Sequence, residues 1–537
     1  MKMLVIFCFA GILMVRCRDH THADKKIFRY NESTGIASLD PTFARNQSVM
    51  WAIHQLYNTL VEVDDALQIK PSLAKSWNFS DDKKTITFHL RTDIIFHDDP
   101  VFNNKLRKLT ARDVEYSFYR IINTATASPG AWIFNNRVDR VQPFIALDDS
   151  TFQLKLIEPF QPILGILSMQ YCSIVAEEVV KQYGTDFRRH PVGTGPFCFV
   201  AWDEGQALIL KRNDRYFEKD STGHALPYLD GIKVNFFDSK ATEFLEFTQK
   251  RLDFINDIDP SFKDEVLTKT GHLKKDWENK LQLEKGPYLN IEFFGILSDS
   301  TNPLVAGSPL RLKKIRQAIN YAIDRKKMIL YLRNSIGTPA ESGFMPPGLP
   351  SFNPELVQGY HYDIIKARKL LQEAGYTHEQ NKQPIRLLTI PVYSGIASFV
   401  ANELNQVGIQ VQVETIQKSL LFEQTSKSQA LFFRGSWIAD YPDAENYLSV
   451  FYSKNPAPPN YTRYKNPQFD ALYNQALQEI NDSVRYDLYQ QMDRMIIEDA
   501  PIVPLWYDMT IHLWQKGISG YGSNSLNMLE LRRLKKD

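Results

Sequence analysis

The sequence predicts a mixed α/β or α+β protein built on more than one sheet, and three observations carry that expectation. The chain has 537 residues, several times a domain of roughly 100 to 200 residues, so more than one packed core is required. Stretches that alternate polar and apolar residues recur along it, the period of a half-buried strand. Between them lie stretches with helix-capping residues and apolar side chains every three or four positions.

Taken in order, the first element is a targeting signal: Lys2, an apolar run from Met3 to Val15, then Arg16, Cys17, Arg18 and Asp19. It resembles a secretory signal over residues 1–17 and is too short to span a bilayer, which takes about 20 residues. Cys17 looks like a lipoprotein acceptor cysteine, although Arg16 stands where a small residue is usual, so a lipidated and a soluble secreted form both stay open. Thr85–Leu90 alternates and predicts a strand, as do Phe152–Leu156 and Ile409–Val413. Thr110 with Asp113 resembles a capping box that starts a helix with Val114, Phe118 and Ile121 on one face. Pro309 should begin a helix whose Ile315, Ile319, Ala322 and Ile323 share a face, with Lys313, Lys314 and Arg316 toward solvent. The Pro-rich stretch Thr338–Pro354 reads as a long ordered loop, and a second such stretch runs from Asn455 to Asn460. Asp363 caps a helix striped by Ala367, Leu370, Leu371 and Ala374, with Gly375 placed for a left-handed end.

The composition excludes several classes of function. At 43% hydrophobic and 23% charged the chain should fold. Lys and Arg number 63 against 62 Asp and Glu, so no net field draws nucleic acid or an anionic membrane. The terminal run Arg532, Arg533, Lys535, Lys536 reads as a solvated end. Cys8, Cys17, Cys172 and Cys198 include no Cys-x-x-Cys pair, and Cys172 and Cys198 either pair or stay as free thiols. His20 and His22 are the only close histidine pair, and no metal or cofactor is expected. There is no His-Glu-x-x-His, P-loop or Gly-x-Ser-x-Gly, and Gly193-Thr194-Gly195 lacks the third glycine of a dinucleotide fingerprint. No catalytic residue is assigned, although a hydrolase built on two carboxylates stays open.

Several blocks together resemble one family. Leu39-Asp40-Pro41 is followed by Gln55-Leu56-Tyr57-Asn58-Thr59-Leu60-Val61, Pro71–Trp77, Thr87–Arg91, Phe96-His97-Asp98 and Thr110–Val114. Then come Pro191-Val192-Gly193-Thr194-Gly195-Pro196-Phe197, Trp202, Arg212–Tyr216, Arg316–Ile319, Ala322–Arg325, Ala367–Gly375 and Trp437–Asp443. In that order they resemble the oligopeptide/dipeptide-binding family of extracellular solute-binding proteins (family 5) of ABC importers. Asp99 departs from the family, which has glycine there. The resemblance implies a periplasmic-binding-protein-like type II fold, with two lobes, a hinge and an extra domain. Lobe I would comprise residues 25–62, 195–286 and 508–537, the extra domain 63–194, and lobe II 287–507.

It also implies a function: an exported binder, periplasmic or lipid-anchored, that captures a short peptide between its lobes and passes it to an importer's permease and ATPase. The protein would be a monomer and not an enzyme. Asp440 matches the position that holds the ligand's ammonium, and otherwise it caps the turn before Pro442. Arg434 matches a carboxylate-binding position, with a structural salt bridge as the other reading. Trp437 and Trp132 would offer apolar walls or belong to the core. Residues 33–38 would supply a strand edge at which Gly35 permits close approach. Relatives of this fold that bind oligosaccharide, nickel chelate or haem keep a non-peptide solute as the alternative.

Overall fold

The computed structural model describes residues 25–377, 383–522 and 524–537; the apolar run Met3–Val15, Cys17, His20 and His22 lie outside the described residues. No helix among the described residues is long and apolar enough to cross a membrane.

Three sheets of four or more strands carry the molecule. In the first, Ile27–Asn31 lies parallel to Gly231–Asn235, which pairs antiparallel with Ala207–Arg212, itself beside Phe197–Asp203. The second is antiparallel throughout, in the order Ala74–Phe79, Thr85–Leu90, Thr151–Lys155, Phe144–Ala146. Helix Ala111–Ile122 starts at the predicted capping box of Thr110 and Asp113. It lays Phe118 edge-on against Phe144 and Phe152, with centroids 5.4 and 5.5 Å away, the geometry aromatic quadrupoles favour.

The third sheet is the widest. Its strands run in the order Phe254–Asn256, Ile502–Gln515, Leu281–Ile296, Phe432–Ile438, Ile385–Thr389, Val411–Thr415. The strand Leu281–Ile296 has 16 residues, a span of roughly 50 Å, and it pairs along most of its length with Ile502–Gln515. The ladder is broken twice: Pro287 faces Met509 and Ile291 faces Tyr507, so Tyr288, Leu289 and Asn290 bulge against Asp508, and Glu292 faces Trp506 while Phe293 faces Pro504, which leaves Leu505 as an extra residue on the partner strand. Proline has no N–H to give a ladder, and such a break bends the strand and re-aims its side chains.

Several expectations need correction. Residues 33–38 form no strand; a turn closed by Gly35 N–H to the Glu32 carbonyl at 3.1 Å follows the first strand. Gly35 takes φ +69° with nothing near it, so it serves the turn and not a close approach. Pro309 opens a short 3₁₀ turn, and the α-helix begins at Lys313. Arg316 is not a solvated charge. Its guanidinium donates to the Asp499 and Ala500 carbonyls, which the helix Asp482–Asp499 leaves without internal partners at its end. Cys172 and Cys198 are unpaired, and burial pushes the Cys198 thiol up to about 11. Asp99 sits at φ −145°, extended backbone that needs no glycine, and its carboxylate caps Val101 N–H.

Candidate functional site

The glycine block fixes one wall of the central cleft. A Cβ on Gly193 would lie 2.1 Å from the Leu56 carbonyl oxygen, and one on Gly195 2.4 Å from the Leu56 carbonyl carbon. Only glycine lets the two segments touch. Gly195 N–H donates to the Leu56 carbonyl at 3.0 Å, and Thr194 Oγ1 to Asn58 Oδ1 at 3.0 Å. The Gly195 carbonyl in turn faces His97 Nε2 and accepts from Asn213 Nδ2, each at 2.9 Å. Burial holds the His97 imidazole neutral, down at about 4. Three sequence blocks thus interlock, and they hold residues 56–59 in place.

Those residues border a cavity of about 730 Å³, whose walls come from residues 45–72, 132–173, 288 with 438–442, and 520–533. Helix Gln47–Leu56, capped by the Asn46 side chain on Val49 N–H, turns His54 and Met50 toward the cavity. Its other face is stitched to the C-terminal segment: Trp51 Nε1 donates to the Asn527 carbonyl at 2.7 Å and Gln55 Nε2 to the Leu529 carbonyl at 2.8 Å.

The floor is an ion network, and it overturns the expectation of a solvated C-terminus. Arg532 is 7% exposed and pairs with Glu62 at 3.0 Å, Glu218 at 2.6 Å and Glu530 at 3.2 Å. Burial alone would raise the Glu530 carboxyl, but Arg532 and then His54, 3.2 Å away, hold it down at about 2. Lys536 also turns inward, donating to the Ile27 carbonyl at 2.8 Å and Asp253 at 2.7 Å.

A further wall is built by Trp132 and Tyr171. A Cβ on Gly130 would lie 2.4 Å from the Tyr171 ring, so glycine is what lets the loop Ser128-Pro129-Gly130 lie on Tyr171 and bring Trp132 to the cavity. Arg137 donates to the Trp132 carbonyl at 3.2 Å and stands 5.9 Å from its ring centroid.

The segment after the strand Phe432–Ile438 contributes Asp440. Asn446 fixes it: Asn446 Nδ2 donates to Asp440 Oδ2, and Asn446 Oδ1 accepts from Asp440 N–H, both at 3.3 Å. No cation lies within ion-pair distance of this carboxylate among the described residues. The surrounding protein desolvates it and raises its pKa, against weaker opposing effects of Asn446 and of Arg137. A carboxylate in that condition attracts a cation.

The remaining predicted residues are placed elsewhere. Arg434 Nη2 donates to both Glu292 oxygens at 2.7 and 2.6 Å, stacks 4.1 Å from the Tyr393 centroid and does not border the cavity, so its charge is already met. Trp437 Nε1 donates to Asn446 Oδ1 at 2.9 Å; it stands behind Asp440, acting through Asn446. Gly35 is remote from the cavity walls. The structure therefore brings together Asp440 and Trp132, and adds Arg45, Tyr171 and the Arg532 network. No sequence signal marks these last: Tyr171 and Arg532 depend on partners far along the chain, and an arginine left without one, as Arg45 is among the described residues, looks like any other in sequence.

A family model described as bacterial extracellular solute-binding proteins, family 5 middle, matches residues 68–459. Heme-binding protein A of Haemophilus influenzae is 28% identical over 487 residues, covering 87% of this chain and 84% of that protein. The dipeptide-binding protein DppE of Bacillus subtilis is 24% identical over 532 residues, covering 95% and 91%. The structure of HbpA2 from Haemophilus parasuis superposes with a TM-score of 0.82 at 23% identity, covering 95% of this chain and 100% of that one.

Proposed function

The chain belongs to the bacterial extracellular solute-binding proteins of family 5, and from that premise we propose that it captures short peptides in the cleft between its lobes and delivers them to an ABC importer. The observation that carries the reading is Asp440, a desolvated carboxylate in the cavity with no ion pair among the described residues. A peptide's ammonium supplies the missing charge, and Trp132 offers an apolar face beside it. The relative from Bacillus subtilis that is named for dipeptide binding supports the same substrate class. The Haemophilus influenzae relative is named for haem, but the propionates of a porphyrin supply no cation to answer the desolvated Asp440 carboxylate, whereas a peptide's ammonium does.

In this reading lobe I comprises 25–62, 195–286 and 508–537, the extra domain 63–194 and lobe II 287–507. The two long strands cross between lobes where their register shifts at Pro287 and Ile291. Closure swings Asp440 and its strand toward the floor, and the ligand favours closure by as much as it binds the closed form better than the open one. The protein acts by binding and not by catalysis, outside the cytoplasm, as a monomer, in the periplasm or tethered through Cys17.

Native mass spectrometry of the purified mature protein tests the proposal, with Asp440→Ala beside it. Mixed short peptides released from the wild type, and weakened about 30-fold or more in the variant, are the expected result. A haem, sugar or metal chelate retained equally by both proteins would overturn it.

A further inference from the structure

We infer that Arg45 is the anion anchor of the cleft: it holds the ligand's carboxylate while Asp440 holds its ammonium, so the solute is a zwitterion with both ends free. This rests on the peptide reading above and adds the residue that selects the second end.

The cationic side chains that border the cavity are Arg45, His54, Lys70, Arg532 and Arg533. His54 is paired with Glu530, Lys70 with Asp64 at 3.1 Å, Arg532 with three carboxylates, and Arg533 with Glu218 at 3.5 Å. Among the described residues the Arg45 guanidinium alone of these has neither an ion pair nor a hydrogen bond. Arg434, which the sequence offers for this task, is spent on Glu292.

Position supports the assignment. Arg45 lies on lobe I, one residue before the cap of helix Gln47–Leu56, whose positive end reinforces it. Asp440 lies on lobe II. Tyr171 borders the same cavity, and both the Arg45 guanidinium and the Asp440 carboxylate act on its hydroxyl, with opposite sign. Among the described residues Asp65 is the other unpaired carboxylate that borders the cavity, but the charges that act on it are Glu530, Asp64, Arg533 and Glu284. Arg45 also borders a second groove of about 890 Å³ along helix Ala111–Ile122, so it stands where two cavities meet and marks an end of the site. A ligand that answers both free charges links lobe I to lobe II, which neither charge achieves alone.

The test uses pools of random di- to pentapeptides in three forms: both ends free, C-terminally amidated, and N-acetylated. Native mass spectrometry reads what the mature wild type, Arg45→Gln, Arg45→Lys and Arg434→Gln retain. Wild type should retain the free pool at least about tenfold better than the amidated pool, the worth of one charge-assisted contact. Arg45→Gln should lose that preference while Arg45→Lys and Arg434→Gln keep it. Thermal unfolding of Arg45→Gln should match the wild type, because the side chain has no protein partner to lose. Equal retention of free and amidated peptides by wild type, or a preference that survives Arg45→Gln, overturns the assignment and leaves the peptide reading intact. Retention of no pool at all overturns both.

Discussion

Replacing Arg532 by Gln should reverse how pH acts on the stability of lobe I. In the wild type the Glu530 carboxyl sits at about 2, below an unfolded value near 4.5, which through linkage corresponds to about 3 kcal/mol. Because the folded pKa is depressed, this stability is fully present above pH 4.5 and is lost as pH falls toward 2; about 1 kcal/mol is gone by pH 4. Removing Arg532 leaves Glu62, Glu218 and Glu530 crowded together without their central cation. Breaking a buried ion pair costs about 3–5 kcal/mol, in agreement with the linkage figure. Glu530 then rises above its ordinary value, and Glu218, which burial already holds above its own, rises further, so the variant gains stability as pH falls through the range in which the wild type loses the Glu530 contribution. Urea unfolding followed by tryptophan fluorescence at pH 7 and pH 4 measures the difference. A gap of at least about 3 kcal/mol at pH 7 that narrows by 1 kcal/mol or more at pH 4 is expected. A gap that is small, or the same at both pH values, would falsify the account of the floor network.

Two further predictions concern the wall and the ligand site. Gly195→Ala forces a methyl to within 2.4 Å of the Leu56 backbone, so it should destabilise by about 3 kcal/mol, the upper end for overpacking, and weaken ligand binding by displacing residues 56–59. Gly395→Ala, with open space around it in the helix Ser394–Gln406, should instead stabilise by up to about 1 kcal/mol; loss of stability in both would refute the steric argument. Because burial raises the Asp440 carboxyl above the ordinary range, and the ligand's ammonium needs it ionised, affinity should fall as pH drops through that raised value. Calorimetric titration of the ligand-free protein with the co-purified peptide at pH 7 and pH 5 checks this, and equal affinities would remove Asp440 from contact with an ammonium.

The elements that were legible in the sequence are those whose causes are local. Thr110 and Asp113 are three positions apart, and Asp363 caps Lys366 N–H, so their helices are written in short windows. The Gly193–Gly195 block is distinctive for a structural reason: only glycine fits against Leu56, and the block marks the fold rather than the ligand. The motif places Asp440, and the cavity wall includes it. That Arg434 is paired away from the cavity could not be read, because its partner Glu292 is 142 positions away, and a guanidinium already paired looks the same in sequence as one left free. The C-terminal basic run misled for the same reason, since Glu62 is 470 positions from Arg532.

The stitching of the C-terminus into the cleft sets an order on the life of the chain. Trp51 waits for Asn527, Glu62 for Arg532 and Asp253 for Lys536, while the strand beginning at Leu281 waits for its neighbour to end at Gln515. Contacts of such sequence separation form late and slowly. Until residues 502–536 have been made, a growing chain lacks both the floor of its cavity and the longest ladder of its third sheet, so it stays loose and empty. Loss of Arg532 and the residues beside it would therefore open that cavity before it took a strand from any of the three large sheets.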